Sequence, residues 1–146
     1  MQVEIKIDAS CEKPKVIILT PQMTDEIHLL VKRIAEESPQ VLSGFRDEKL
    51  EVLEQAEILR IYAEAGKVLA VTAAGEYTLR LRLYELEERL DKSLFVRISH
   101  SEIINLKKVK SFDLSFTGSI CVSLVNGTVT YVSRRYVHKI KQVLGI

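Results

Sequence analysis

The chain has 146 residues, of which 47% are hydrophobic and 28% charged, and its formal net charge is +1. This balance is typical of a globular protein with a hydrophobic core and excludes a disordered or fibrous chain. The length allows one compact domain, or one domain of about 100 residues with a short structured extension. No apolar run reaches the ~18 residues of a membrane-spanning helix and no signal peptide is visible, so we expect a cytoplasmic protein.

Charge is distributed unevenly along the chain. Residues 1–60 hold 8 Lys and Arg against 12 Asp and Glu, a net charge of −4, whereas residues 93–146 hold 8 against 2, a net charge of +6. A basic C-terminal third is expected of a surface that meets phosphates, although an accidental basic face would give the same count. Cys11 and Cys121 belong to no C-x-x-C pair, so we predict that both are unpaired, reduced thiols.

The first 38 residues predict two strands and a helix. Val3–Ile7 alternates apolar and charged residues as a half-buried strand does, and Val16–Leu19 is a second strand. The helix should begin at Thr20-Pro21, because threonine can cap free backbone N–H groups and proline is tolerated at the first helical position, and it should end at Ser38-Pro39. Its apolar stripe consists of Ile27, Leu30, Val31 and Ile34. We assign residues 1–45 to an N-terminal extension and residues 46–146 to the second domain.

From there on, glycines separate short runs rich in Val, Ile, Leu, Tyr and Thr, which is the spacing of β-hairpins. Asn126-Gly127 predicts a type I′ turn between strands at Ile120–Val125 and Thr128–Val132, because both central residues of that turn need positive φ. A short helix should bury a stripe of leucines, and a last helix runs from about Arg134 to Leu144. The leucines of the short helix are Leu83, Leu86 and Leu90.

The residues that catalysis needs are missing at recognisable spacings. The sequence has no nucleophile beside a base, no paired carboxylates and no phosphate-binding Gly-rich loop, so we predict that the protein is not an enzyme. The three histidines share no i, i+4 spacing and neither cysteine stands near one, so neither a metal site nor a cofactor is expected. No phosphoacceptor receiver domain fits before residue 50.

Residues 50–146 carry a succession of strands and short motifs that can be compared with known domains. The segments ELEERL, FVRISHSEIINL and VSRRYVHKI follow one another along these residues. Their order and their spacings resemble those of the LytTR family of DNA-binding domains. The resemblance implies an α+β, mostly β fold in which short antiparallel sheets form an elongated arrangement with short helices. It also implies that loops, instead of a recognition helix, enter successive major grooves of DNA.

Two arginines begin the last predicted helix. Ser133 can cap it, which places Arg134 and Arg135 in the first turn, where the helix dipole disfavours cations by ~0.3–1 kcal/mol each. A DNA phosphate would compensate, and an arginine reaching past it can pair bidentately with guanine. The LytTR resemblance also implies DNA contacts here, on Arg135 above all. Solvated arginines at a frayed helix start are the alternative.

A second contact is expected at the loop that follows the strand Phe95–Ile98. The resemblance implies that His100 and Ser101 insert into the major groove, where a histidine can donate to or accept from a base edge. The family more commonly has His-Arg-Ser-Tyr where this chain has Ser99-His100-Ser101-Glu102. A DNA contact by Glu102 is not expected, because phosphates would repel its carboxylate. We expect a short helix after this loop, which buries apolar residues of the segment 103–106, and a structural role for Asn105.

Two lysines complete the predicted DNA-binding residues. Lys67 is the one side chain of the loop Ala65-Gly66-Lys67 that can reach out, and Lys107 would neutralise a phosphate, although a solvated basic run explains it nearly as well. The aromatic residues favour core packing over base stacking because they lie in strands with apolar neighbours. They are Tyr62, Tyr77, Phe95, Phe112 and Phe116.

These patterns predict a bacterial transcriptional regulator that binds direct repeats in double-stranded promoter DNA as a homodimer. The extension of residues 1–45 would mediate dimerisation or bind a regulatory partner, and for stand-alone members of such a family an inhibitory membrane protein is the partner to expect. Two alternatives stay open. The chain could be a protein-interaction module whose basic face binds no DNA, or a regulator that binds a small molecule.

Overall fold

The computed structural model describes residues 1–35, 41–115 and 117–146. The chain divides into two compact units, Met1–Glu37 and Ser38–Ile146. The first strand of the second unit is β1 (Leu42–Arg46), and its residue Leu42 is buried in a core of that unit. The boundary that we expected at residue 45 therefore lies earlier in the chain, before Leu42.

The first unit contains helix α1 (Asp25–Ala35) and forms no strand among its described residues. The strands predicted at Val3–Ile7 and Val16–Leu19 are therefore wrong for the single chain, because a strand needs a hydrogen-bonded neighbour and these segments have none here. The predicted helix start is also wrong. Thr24 is the capping residue, since its Oγ1 accepts a hydrogen bond from the backbone N–H of Ile27 at 3.3 Å. The expected helix end at Ser38-Pro39 lies outside the described residues.

The second unit is mostly β, as predicted, and every strand pair in it is antiparallel. Among the described residues, its remaining β-strands and α-helices are β2 (Lys49–Leu53), β3 (Ile58–Glu64), β4 (Lys67–Thr72), β5 (Gly75–Leu79), α2 (Leu83–Arg89), β6 (Phe95–Ser99), β7 (Glu102–Asn105), β8 (Val109–Asp113), β9 (Ile120–Leu124), β10 (Val129–Val132) and α3 (Arg134–Leu144). Short 3₁₀ helices lie at Gln55–Glu57 and Leu106–Lys108. A larger sheet has the strand order β2-β1-β5-β4-β3-β7-β6, and a smaller sheet has the order β10-β9-β8.

The β6–β7 hairpin lies between two hydrophobic cores. Phe95 and Ile103 contribute to the first core, with the leucines of α2, while Ile98 and Ile104 contribute to the second, with β9, β10 and α3. Alternate residues of a strand point to opposite faces, so both faces of this hairpin are buried. Each large apolar side chain that is fully buried stabilises the fold by ~1.5–3 kcal/mol. The hairpin is therefore held from both sides.

The short helix predicted from the leucine spacing is confirmed as α2, in which Leu83 and Leu86 are buried, with Leu90 buried just after it. Among the aromatic residues, Tyr77 and Phe95 are in the first core and Phe112 packs against the second. Phe116 lies outside the described residues. Cys11 and Cys121 are both free, as predicted.

One hairpin turn differs from expectation. Gly127 has a φ of +89°, but Asn126 is not among the residues with positive φ, so the predicted type I′ turn is wrong. Val125, Asn126 and Gly127 instead form a three-residue loop, in which the N–H of Gly127 donates to the carbonyl of Leu124 at 3.0 Å. Two consecutive positive φ angles occur at Ala65-Gly66, between the paired residues of β3 and β4.

Candidate nucleic-acid interface

Three turns meet at one end of the larger sheet, and we call them the turn row. They are the β3–β4 turn (65–67), the β6–β7 turn (99–101) and the start of α3 (133–135). The backbone N–H of Ala63 donates to the carbonyl of Ser101 at 2.8 Å, and that of Ser133 donates to the carbonyl of Ile98 at 2.9 Å. Neighbouring strands are ~4.8 Å apart, so the two hairpin turns are centred about 10 Å from each other.

Five of the six side chains predicted to bind DNA belong to the turn row, and all five are exposed. They are Lys67, His100, Ser101, Arg134 and Arg135. Lys107 is exposed as well but lies beyond the opposite end of β7, at least about 10 Å from the β6–β7 turn. The structure therefore brings together the three loops that the sequence singled out and leaves Lys107 apart from them.

Arg97, to which the sequence analysis assigned no role, holds the β6–β7 turn through hydrogen bonds to backbone carbonyls of the turn. Its Nε donates to the carbonyl of Ser99 at 3.0 Å, and its Nη2 donates to the carbonyl of His100 at 2.6 Å. Its Nη1 forms an ion pair with Glu87 Oε1 at 2.6 Å. The planar guanidinium group can make all three bonds at once. An arginine in the middle of the otherwise apolar run FVRIS was the signal that could have identified it.

Arg97→Ala should therefore loosen the turn that carries His100 without removing any side chain that points outward. We expect DNA affinity to fall about tenfold, with the loss of base preference at the same positions that His100→Ala affects, because the carbonyls of Ser99 and His100 lose their charged donors. Binding-site titrations of both variants check this. Equal base preferences in Arg97→Ala and wild type would contradict it.

The short helix expected after this turn is wrong for residues 103–105, because Glu102–Asn105 is strand β7 and all four of its residues are buried. A short 3₁₀ helix follows at Leu106–Lys108. Glu102 is also not near the outer surface where phosphates would repel it. Its Oε2 lies 2.8 Å from Arg60 Nε, and its Oε1 accepts a 2.6 Å hydrogen bond from Thr130 Oγ1. The carboxylate is thus neutralised inside the protein, where it connects β3 and β7 of the larger sheet with β10 of the smaller one.

Asn105 has the structural role that we predicted. Its Nδ2 donates to the carbonyl of Ile58 at 2.8 Å, and its Oδ1 accepts from the N–H of Lys107 at 2.9 Å. Both bonds are buried or partly buried, so the side chain ties the end of β7 to β3.

The start of α3 presents two arginines that form no ion pair with any described carboxylate. Ser133 occupies the capping position as predicted, but its side chain makes no capping hydrogen bond, and the first turn of α3 contains no acidic residue. Arg134 packs against Gly118, since a Cβ added to that glycine would lie 3.3 Å from Arg134 Nε. Arg135 makes no ion pair or hydrogen bond with any described residue, so its guanidinium group is available to a ligand.

The β3–β4 turn requires a left-handed backbone at a residue that has a side chain. Ala65 has a φ of +50° and Gly66 a φ of +78°. This conformation costs a non-glycine residue roughly 1 kcal/mol. We therefore expect Ala65→Gly to leave stability unchanged or to raise it by up to about 1 kcal/mol, despite the greater freedom of glycine in the unfolded chain. Urea unfolding measures the change, and a loss above about 1 kcal/mol would contradict the turn geometry.

Tyr62 lies on β3 beside the turn row but is engaged within the protein. Its hydroxyl donates to Glu76 Oε1 at 3.0 Å, and the guanidinium of Arg60 lies 4.3 Å from its ring centroid. Burial raises the pKa of Tyr62, and the hydrogen bond to Glu76 acts in the same direction. The phenol therefore stays neutral at physiological pH, and one face of its ring is already covered, which favours packing over base stacking.

The described residues contain no group of three or more His, Cys, Asp or Glu side chains that could hold a metal ion. Among the same residues, no helix is both long and apolar enough to cross a bilayer.

A profile described as the LytTr DNA-binding domain matches residues 48–145, which is more than half of the chain. The protein belongs to the LytTR family. A LytTr DNA-binding domain from a Bacillus cereus protein has the same fold, with a TM-score of 0.71 and 21% sequence identity over 75% of this chain and 100% of that one. The resemblance stated from the sequence is thereby confirmed.

Two relatives match this LytTR protein over its entire length. They are uncharacterized HTH-type transcriptional regulators of Staphylococcus aureus strains NCTC 8325 / PS 47 and COL, each 30% identical over 147 residues, covering 100% of this chain and 99% of theirs. Their names describe a helix-turn-helix. In the described residues of the present LytTR chain, five strands separate α2 from α3, so the second unit has no two consecutive helices that could form that motif.

Proposed function

We propose that this LytTR protein is a transcriptional regulator that binds specific DNA sequences through the turn row. The observation that carries the proposal is the convergence of Lys67, the His100–Ser101 turn and Arg135 at one end of a sheet, each exposed. Loops of this kind can reach base edges in the major groove, where each base pair presents a distinct pattern of donors and acceptors. A regulator of chromosomal DNA would act in the bacterial cytoplasm.

Each member of the row has a chemical role in this proposal. Arg135 pairs with a guanine by two hydrogen bonds, and His100 donates to or accepts from a base edge. Ser101 and Arg134 bind phosphate or base edges beside them, while Lys67 neutralises a phosphate. Lys107 lies apart from the row, so we assign it at most a contact with the DNA backbone that carries no sequence information.

The regulator is proposed to act as a homodimer on a direct repeat. Two copies that each occupy one repeat lie on the same face of the duplex when the repeats are separated by whole helical turns, about 10–10.5 base pairs each. Gel-shift titrations with duplexes in which one repeat is moved by half a turn, or inverted, test this arrangement. We expect cooperative binding to the in-phase direct repeat only, and equal binding to all three duplexes would contradict it.

The first unit is proposed to hold the regulatory contacts, either with a second copy or with an inhibitory membrane protein that docks on the apolar face of α1. A truncation tests this if it leaves the DNA-binding unit whole. Because β1 begins at Leu42, the truncated chain should start at residue 38. It should bind a single repeat like the full chain but lose dimerisation and the response to the partner. A truncated chain that keeps both would contradict the assignment.

A further inference from the structure

The first unit exposes an apolar groove that nothing in the described part of its own chain fills. The groove has a volume of about 600 Å³ and lies between α1 and the segment before it. One side consists of every second residue of that segment, Pro14, Val16, Ile18 and Thr20, and the other side of Met23, Ile27, Val31 and Ile34. Alternation of this kind means that residues 14–20 run alongside the helix as a strand does. No residue of α1 is buried.

A matching element is present in the same chain. Val3, Ile5 and Ile7 recur at every second position, and their side chains are 83%, 86% and 98% exposed. Glu4 and Lys6 alternate with them and have opposite charges. The described residues of the segments 3–7 and 14–20 make no backbone hydrogen bonds with each other. Both therefore have free N–H and C=O groups along their length, which is what strand addition requires.

The first unit is too short to be expected to fold stably by itself. It spans Met1–Glu37, and a domain of fewer than ~40 residues usually needs disulfides, a metal or oligomerisation. Cys11 is the single cysteine of this unit, and no metal-binding cluster occurs among the described residues. Residues 1–35 hold five Lys and Arg against five Asp and Glu, so two copies would not repel each other by net charge.

We infer that the first unit is half of a two-fold dimer in which Val3–Ile7 of one copy pairs with residues 14–20 of the other and places its three apolar side chains in that copy's groove. The exchange is reciprocal, so one contact is made twice, as in an isologous interface. This inference specifies the homodimer contact of the proposed function. It explains why the alternating sequence of residues 3–7 predicts a strand that the single chain does not form.

Two substitutions that introduce a charge test the exchange in the full-length chain without DNA. Ile5→Lys places a charge on the strand, and Val31→Glu places one in the groove. We expect wild type to be a dimer by sedimentation equilibrium and each variant to have a dimer dissociation constant roughly a hundredfold higher, because an unpaired charge would enter an apolar site. The matched controls are Glu4→Lys, on the other face of the strand, and Leu29→Glu, an exposed leucine of α1 outside the groove; both should remain dimeric.

Mixing the two variants distinguishes exchange from other causes. The chain with Val31→Glu still has a native strand, and the chain with Ile5→Lys still has a native groove, so a mixture should form a 1:1 heterodimer in which the introduced lysine and glutamate meet in the second contact. Three results would overturn the inference: a monomeric wild type, variants as dimeric as the controls, or a mixture that stays monomeric. Binding of each variant to a single DNA repeat, measured separately, reports on the proposed function and not on the exchange.

Discussion

Arg135→Ala should weaken binding to the specific DNA site by ~1–3 kcal/mol while making the free protein slightly more stable. Arg135 lies in the first turn of α3, where no acidic residue balances its charge and no described residue binds it. In the free protein the helix dipole disfavours the guanidinium by ~0.3–1 kcal/mol, and alanine removes that cost. Bound DNA supplies the missing partner, so the same substitution removes a contact in the complex. Fluorescence anisotropy titrations and urea unfolding give the two quantities.

Lys141→Ala is the matched control, since Lys141 is an exposed cation in the last turn of the same helix. There the dipole favours a positive charge, so its removal should lower stability by a few tenths of a kcal/mol and leave sequence preference unchanged. The opposite signs of the two stability changes separate a ligand-binding arginine from a structural one. If Arg135→Ala lowered stability and kept wild-type affinity, the assignment of Arg135 to DNA would be wrong.

Glu102→Ala should cost the protein about 3–5 kcal/mol of unfolding free energy, a large part of the ~5–15 kcal/mol that small domains have. The substitution leaves the guanidinium of Arg60, whose side chain is only 20% exposed, without its counterion. It also removes the acceptor for Thr130 Oγ1 and with it a bond between the two sheets. Denaturant unfolding at neutral pH measures the loss.

Two comparisons make this second prediction specific. Glu64→Ala removes an exposed carboxylate from the end of β3 and should change stability by less than about 0.5 kcal/mol. The double variant Arg60→Met with Glu102→Met removes both charges and should cost less than Glu102→Ala alone, because no unpaired charge stays buried. A double variant that is less stable than Glu102→Ala would show that the ion pair itself, and not the unpaired arginine, determines the loss.

Local sequence signals predicted well where the partner of a residue is close along the chain. The spacing of the leucines predicted the buried face of α2, and Gly127 predicted the hairpin of β9 and β10. The same signals could not give the type of turn, because Asn126-Gly127 suits a type I′ turn but adopts another, whereas Ala65-Gly66 has the two positive φ angles without a strong preference for them. Tertiary packing decides between turns whose local energies differ by about 1 kcal/mol.

In the candidate site, too, local motifs identified some residues, whereas residues with partners on other elements were missed. His100 and Arg135 could be selected because their segments match a family motif, and the structure then brought their loops together through backbone bonds that no spacing reveals. Arg97 and Glu102 were missed or misread because their partners, Glu87, Arg60 and Thr130, lie on other elements. The strands of the first unit were expected from alternation, but alternation cannot state which chain supplies the neighbouring strand.

Selection of binding sites from a random duplex pool, at one fixed salt concentration, tests the central claim most directly. Wild type, His100→Ala and Arg135→Ala would be compared with Lys92→Ala, an exposed lysine before the other end of β6. The proposed turn row predicts an enriched motif, with each of the two row variants losing preference at its own base position and Lys92→Ala keeping the whole motif. If no motif is enriched and all four proteins bind alike, the turn row does not read DNA sequence and the basic face serves a different partner.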